Sequence, residues 1–258
     1  MISSGFIGGG RVTKILLNGF KKAGIELDNV LVYDTSLNAL KKLNKEFPEI
    51  KTVSNNVNML AASQDMIYLA VHPSAMGSVL EEIKSYLNQD AIVVSLAPKP
   101  KMEQISSLLN GFTRIVRMIP NAPSIINQGY NPISFAPEIN DTEKKEILEL
   151  FTVLGVTPEV DEDKLEAYAV LTAMGPTYFW FQFNALSKLG QSFGLENDEI
   201  QKSLPKMIIG ATQTFYQSKL SPEEVLDLIP VKPMGEEEET VKKAYQTCLG
   251  AMFQQLKG

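Results

Sequence analysis

Five short apolar runs in the first 135 residues decide most of what this chain can fold into. They are Gly5-Phe6-Ile7, Val30-Leu31-Val32-Tyr33, Met66 to Val71, Ala91 to Ser95 and Arg114 to Met118. A strand with one wet face alternates apolar and polar residues. A strand covered on both faces reads as a nearly continuous apolar run, as in a parallel sheet between helical layers. Amphipathic stretches separate the runs, Ser36 to Phe47 and Ser74 to Leu87 being the clearest. This alternation predicts a doubly wound α/β domain over residues 1–140, with Asn131 to Phe135 as a last, weaker strand.

After about Asp141 the period changes to that of helices. They are expected over 141–154, 163–174, 176–193, 197–217, 221–229 and 237–256. Ser221-Pro222-Glu223-Glu224 carries an N-cap, a proline at the first helical position and a capping-box glutamate. Residues 141–258 therefore read as a second, all-helical domain. Its helix from Pro176 contains Tyr178-Phe179-Trp180-Phe181-Gln182-Phe183, apolar on nearly every side. Such a helix is buried all round. A domain this small has difficulty surrounding one alone, so a homodimer interface through the C-terminal helices is expected, the alternative being a central core helix within one chain.

Composition narrows the function classes. A net charge of −6 argues against a nucleic-acid partner, which needs clustered Lys and Arg. Cys248 is the only cysteine and His72 the only histidine. An intrachain disulfide, a thiolate metal site, a multi-histidine metal site and a Ser-His-Asp machine are thereby disfavoured, and no bound metal is expected. Cys248 lies in an apolar helical pattern and reads as an inert packed thiol. No run of 18 apolar residues occurs, so no membrane span is expected. The start, MISSGFIGGG, lacks the basic region of a signal peptide, which makes the cytoplasm the expected compartment.

Gly8-Gly9-Gly10-Arg11-Val12-Thr13 follows the first strand and opens a helix. Gly8 permits a tight turn, and Gly10 lets the backbone approach a pyrophosphate at the helix N-terminus. This context makes the domain Rossmann-type and dinucleotide-binding; the alternative is a purely structural glycine turn. Thr13 stands where the fingerprint has a third Gly or Ala, which is expected to loosen the strand–helix contact. Asp34 ends the second strand, near the place of an acid that bonds ribose hydroxyls. No Arg or Lys follows before Lys41 to hold a 2′-phosphate, so NAD(H) is favoured over NADP(H). Asp34-Thr35-Ser36 also precedes a helix, leaving an N-cap role open.

GFIGGGRV near the N-terminus, LAVHP at 69–73, RIVRMIPNAP at 114–123 and GPTY at 175–178 together resemble the pyrroline-5-carboxylate reductase family, in order and spacing across essentially the whole chain. The resemblance implies NAD(P)H-dependent reduction of the cyclic imine of proline biosynthesis. It also implies a Rossmann domain followed by a helical domain that interlocks in a dimer, often within a larger ring. Ile7, Gly8, Gly10, Arg11 and Val12 would line the cofactor diphosphate. Asp34 and Thr35 would face the adenosine ribose, and Asn56 the adenine. Ala70, Val71, His72 and Pro73 would run beside the cofactor, with Pro120 and Asn121 near the nicotinamide. Thr172, Gly175 and Pro176 would lie near the substrate, Thr172 bonding the imine or product amine.

The departures bear on the substrate. His72 replaces the usual Lys and is expected to act through its backbone rather than by proton transfer. Ala97-Pro98-Lys99 replaces a small Ala-Ala-Gly run. Thr172-Ala173-Met174-Gly175-Pro176 replaces Ser-Gly-Ser-Gly-Pro. Lys232-Pro233-Met234-Gly235-Glu236-Glu237 replaces a Ser-Pro-Gly-Gly-Thr-Thr loop that grips the substrate carboxylate. Glu236 and Glu237 favour the helix start themselves. A second carboxylate about 4 Å away would be repelled by roughly 4 kcal/mol at an effective dielectric of 20. Lys99 and Lys232 are candidates to offset that charge. Three readings follow: the family reaction with an unusual loop holding Gly235 and Glu236 to the substrate; a different imine or carbonyl substrate, whose positive charge Glu236 or a catalytic Glu237 would stabilise; or a cofactor-binding protein without turnover.

Overall fold

The structure, a computed structural model, describes residues 3–54 and 58–257, the side chains of 58 and 59 excepted. It divides into two compact units. The first runs to Met174 and takes in the chain again from Gln255; the second is Gly175–Gln254.

The first unit holds strands β1 (Ser4–Ile7), β2 (Val30–Tyr33), β3 (Lys51–Val53), β4 (Met66–Leu69), β5 (Ile92–Ser95), β6 (Ile115–Met118), β7 (Gly129–Tyr130), β8 (Ile133–Phe135) and β9 (Gly155–Val156). Helices α1 (Arg11–Lys22), α2 (Leu37–Glu46), α3 (Asn58–Ala62), α4 (Pro73–Ile83), α5 (Met102–Leu108), α6 (Asp141–Thr152) and α7 (Leu165–Tyr168) connect and cover them. Seven strands form one sheet in the order β3-β2-β1-β4-β5-β6-β8. All neighbours are parallel except β6 and β8. The order reverses between β1 and β4, which opens a crevice at their carboxyl ends.

Strand alternation sorts the apolar runs onto two faces. Phe6, Val32, Tyr68, Val94 and Val116 meet Leu16, Leu17 and Phe20 of α1, Leu40 and Leu43 of α2, and Ile147 and Phe151 of α6. Ile7, Ile67, Leu69, Val93 and Ile115 meet Met76, Leu80 and Ile83 of α4 and Ile105 of α5. The runs are unbroken because both faces are dry, each buried side chain contributing about 1.5–3 kcal/mol. Phe6 stacks on Tyr68 with ring centroids 4.1 Å apart, and Phe151 meets Tyr68 edge-on at 6.2 Å.

That contact moves the expected domain boundary. Residues 141–152 form a helix, capped by Asn140 and Glu143, but the helix belongs to the first unit and not to the helical one. Periodicity identifies a helix without saying which layer its apolar face covers. β3 carried no apolar run because it is a three-residue edge strand with Lys51 exposed, the ordinary way of blunting a sheet edge.

A buried ion cluster fixes the far side of the sheet. Arg117 of β6 is fully buried. Its Nη1 donates to Glu162 Oε1 at 2.7 Å, and its Nη2 donates to Pro98 O at 2.6 Å and Glu166 Oε1 at 3.1 Å. Glu162 Oε1 also accepts the Met102 N–H at 2.7 Å. The segment before α7 is thereby tied to β6 and to the start of α5.

A π-turn at Ala169–Ala173 leads to Met174. The second unit contains α8 (Pro176–Ser192), α9 (Asn197–Gln217), α10 (Pro222–Asp227), α11 (Glu238–Ala244) and most of α12 (Gly250–Lys257). Among its described residues only Gly175, Gly190 and Ile200 are buried. Phe181, Phe193 and Tyr216 stand 67%, 78% and 78% exposed. No helix among the described residues is long and apolar enough to cross a membrane. Among the same residues no group of three or more metal-ligating side chains converges.

Candidate active site

The glycine loop joins β1 to α1 over the crevice. Gly8 has φ +108°, and a Cβ there would lie 2.5 Å from the Ala70 carbonyl oxygen. Only glycine meets both demands. Its N–H donates to Tyr33 O at 2.8 Å, and Ala70 N–H donates to Ile7 O at 2.8 Å, so the ends of β1, β2 and β4 are stitched together. Around the Cβ position of Gly10, no atom of the described residues beyond its chain neighbours lies within 4 Å. Arg11 and Val12 open α1, whose N-terminus carries neither a side-chain cap nor an acid in its first turn. The other long helices of this sheet are capped: α2 by Ser36, α4 by His72 and α6 by Asn140. The first-turn N–H groups of α1 have no intrahelical acceptor, so the loop fits a diphosphate.

Thr13 does not loosen this junction. It is fully buried, and its hydroxyl donates to the Gly8 carbonyl. A β-branched residue in place of a small one here gains a bond that Gly or Ala cannot make.

Asp34 follows β2 and faces the loop. Its Oδ2 accepts the Gly9 N–H at 2.7 Å and its Oδ1 accepts the Ser36 N–H at 2.7 Å. The helix cap proper is Ser36, whose hydroxyl accepts the Ala39 N–H. Each carboxylate oxygen keeps a further lone pair for a hydroxyl donor. Ile7, Gly8, Tyr33, Asp34, Thr35 and Val71 line one crevice of about 210 Å³ with Ala75, Ser78, Val79 and Glu82 of α4. Burial, then the Glu82 and Asp34 carboxylates, push the Tyr33 phenol pKa up. Tyr33, Ser78 and Glu82 escaped the sequence reading. Their signal was the spacing 75, 78, 79, 82, which puts one stripe of α4 on the crevice. Asn56 falls outside the described residues.

His72 caps α4, with Pro73 at the first helical position. Its Nδ1 lies 2.8 Å from Ser74 Oγ and accepts the Ser74 N–H at 3.3 Å. The ring is thereby held against the start of the helix it caps.

A second group of residues lies beyond β6. Asn121 is 8% exposed; its Oδ1 accepts the Tyr130 N–H and its own N–H donates to Asn131 Oδ1. The Tyr130 ring lies 5.9 Å from that of Tyr168, and the Tyr168 carbonyl accepts the Thr172 hydroxyl at 2.7 Å. One chain of contacts therefore joins Asn121 to Thr172. Gly175 and Pro176, a few residues on, begin α8 of the second unit. Gly235, Glu236 and Glu237 form an exposed 3₁₀ turn of that unit, leading into α11. Lys242 Nζ bridges Glu238 at 2.7 Å and Glu239 at 3.0 Å, which pulls the Glu238 carboxyl down. The Lys99 ammonium donates to Gln255 O at 2.9 Å.

Residues 3–99 match the family model described as NADP oxidoreductase, coenzyme F420-dependent. The pyrroline-5-carboxylate reductase of Pseudomonas aeruginosa is 23% identical over 251 residues, spanning 97% of this chain and 91% of that protein. That of Escherichia coli is 25% identical over 226 residues, spanning 87% and 83%. The crystal structure of Plasmodium falciparum pyrroline carboxylate reductase with NADP bound superposes with a TM-score of 0.83 at 24% identity, covering 99% of this chain and 97% of that one. The enzyme from Streptococcus pyogenes gives 0.79 at 18% identity, covering 99% and 98%. Over nearly its whole length this chain, a Rossmann-type unit with a helical C-terminal region, is similar to pyrroline-5-carboxylate reductases.

Proposed function

We propose that this chain is an NAD(P)H-dependent reductase of a cyclic imine, converting 1-pyrroline-5-carboxylate to L-proline. The observation that carries the reading is a likeness to named reductases that runs through nearly the full length of both chains. Ile7, Gly8, Gly10, Arg11 and Val12 hold the diphosphate at the uncapped start of α1. Asp34 and Thr35 take the ribose, and Ala70, Val71, His72, Pro73 and Asn121 flank the rest of the cofactor. When bound, the nicotinamide supplies the hydride.

Thr172 already donates its proton to Tyr168 O, so toward substrate it is an acceptor. That suits the N–H of a protonated imine or of the product amine. Gly175, Pro176, Gly235 and Glu236 border the substrate, and Glu237 stabilises positive charge on it. NADH is the preferred cofactor, because the crevice is lined by Asp34 and Glu82 with no Lys or Arg among its lining residues to pair a 2′-phosphate.

The exposed Glu236 and Glu237 favour a second reading, a cyclic imine without a carboxylate. Purified protein tested with NADH against 1-pyrroline-5-carboxylate and a panel of other cyclic imines separates the two. The main reading expects turnover of the first compound, with kcat/KM for NADH above that for NADPH. Turnover confined to uncarboxylated imines moves the assignment to the second reading, and NADH binding without turnover on any imine removes both.

The protein acts as a homodimer through its C-terminal helices, which can close into a larger ring. The support is a helical unit that exposes Trp180, Phe181, Phe193, Ile229 and Val231 and buries almost nothing of its own. Light scattering is expected to give at least twice the monomer mass. A monodisperse monomer would remove this part.

A further inference from the structure

We propose that Glu82 reads the nucleobase of the dinucleotide, its carboxylate accepting the exocyclic amine of an adenine seated in the crevice. The inference rests on the cofactor part of the proposed function and not on the substrate.

The crevice of about 210 Å³ is smaller than a pocket for a whole drug-sized ligand, which runs from about 300 Å³ upward. It has room for one end of a dinucleotide. Its two ends differ. At one, Gly8 and Asp34 are bound into the glycine loop, since the Gly9 N–H is donated to Asp34 Oδ2. At the other, α4 runs away from the switch point with Ala75, Ser78, Val79 and Glu82 along one stripe. Ala75 to Glu82 is seven residues, about 10 Å along a helix axis, close to the length of a nucleoside. A diphosphate at the start of α1 and a ribose at Asp34 therefore leave the base against α4.

The wall chemistry suits that occupant. Val71, Ala75 and Val79 offer apolar surface to the faces of a planar ring. Glu82 and Ser78 are the polar side chains that α4 contributes to the lining. Glu82 lines the crevice together with Tyr33, whose phenol pKa is pushed up by burial and then by the Glu82 carboxylate. A carboxylate accepts hydrogen bonds and cannot donate them. Adenine presents an amino group at its exocyclic position. Hypoxanthine presents a carbonyl oxygen there, which a carboxylate repels.

The test compares NADH with its hypoxanthine analogue, deamino-NADH, by titration calorimetry on the full-length protein. Wild type is expected to bind NADH about tenfold more tightly, the effect of one hydrogen bond to a charged acceptor. In Glu82→Ala the two affinities should converge. In Glu82→Gln, whose carboxamide both donates and accepts, deamino-NADH should gain relative to NADH. Glu82 is exposed, so these variants leave the core intact. Equal binding of both dinucleotides by wild type, or tenfold discrimination persisting in Glu82→Ala, overturns this inference alone. Binding of neither dinucleotide overturns it together with the cofactor reading.

Discussion

Replacing Arg117 by alanine is expected to lower the melting temperature by roughly 6–20 °C. The guanidinium is fully buried and donates hydrogen bonds to Glu162, Glu166 and the Pro98 carbonyl. Alanine leaves Glu166, itself 2% exposed, as a buried carboxylate without its cation. Removing one partner of a buried pair costs about 3–5 kcal/mol. Each kcal/mol lowers the midpoint by about 2–4 °C in a protein of this size. Turnover should fall as well, because the segment released is the one that leads through Tyr168 to Thr172. A double variant, Arg117→Met with Glu166→Leu, should recover much of the loss, since apolar groups of like volume often replace a buried pair at little cost. Thermal denaturation checks both. A drop under about 2 °C in the single variant would show that the carboxylates find water or another partner.

Gly8→Ala is expected to lose both stability and cofactor affinity. The new methyl would sit 2.5 Å from the Ala70 oxygen and 2.8 Å from its carbon, at φ +108°. A left-handed backbone costs a non-glycine residue about 1–2 kcal/mol before any clash is counted. Relief requires β1 and β4 to part at the crevice, so NADH affinity should fall at least about tenfold, or 1.4 kcal/mol. Gly10→Ala makes the contrast. Its methyl meets no atom of the described residues beyond its chain neighbours within 4 Å, so the melting temperature should hold while NADH affinity falls, the methyl occupying space needed by the diphosphate. Calorimetric titration of the two variants reads the split. Unchanged affinity in Gly10→Ala would place the diphosphate elsewhere.

These two sites mark where the sequence was legible and where it was not. Gly8 and Asp34 could be read because the backbone itself demands them, at a positive φ and at a strand end. The strands of the sheet interior could be read because burial on both faces removes polar residues. β3 could not, since an edge strand of Lys51-Thr52-Val53 has no such run. The helix at Asp141–Thr152 was visible, but its allegiance was not, because only packing brings Phe151 to Tyr68. Thr13 was misjudged from its bulk, when its hydroxyl was the useful part. Glu82 and Arg117 depend on what a fold places opposite them. Nothing local in VLEEI or RIVRM announces a crevice wall or a buried ion cluster.

The Lys232 to Glu237 loop raises the same difficulty in reverse. Its start of a helix is evident from sequence and present in the structure, with Glu236 and Glu237 exposed in the first turn. Whether those carboxylates tolerate a carboxylated substrate is a matter of charge at contact distance, and the reaction itself decides it. Purified protein should be mixed with NADH and 1-pyrroline-5-carboxylate, following NADH loss and L-proline formation together. The two are expected to change in equal amounts, and neither without enzyme. Sustained NADH binding with no proline formed would contradict the proposed reaction.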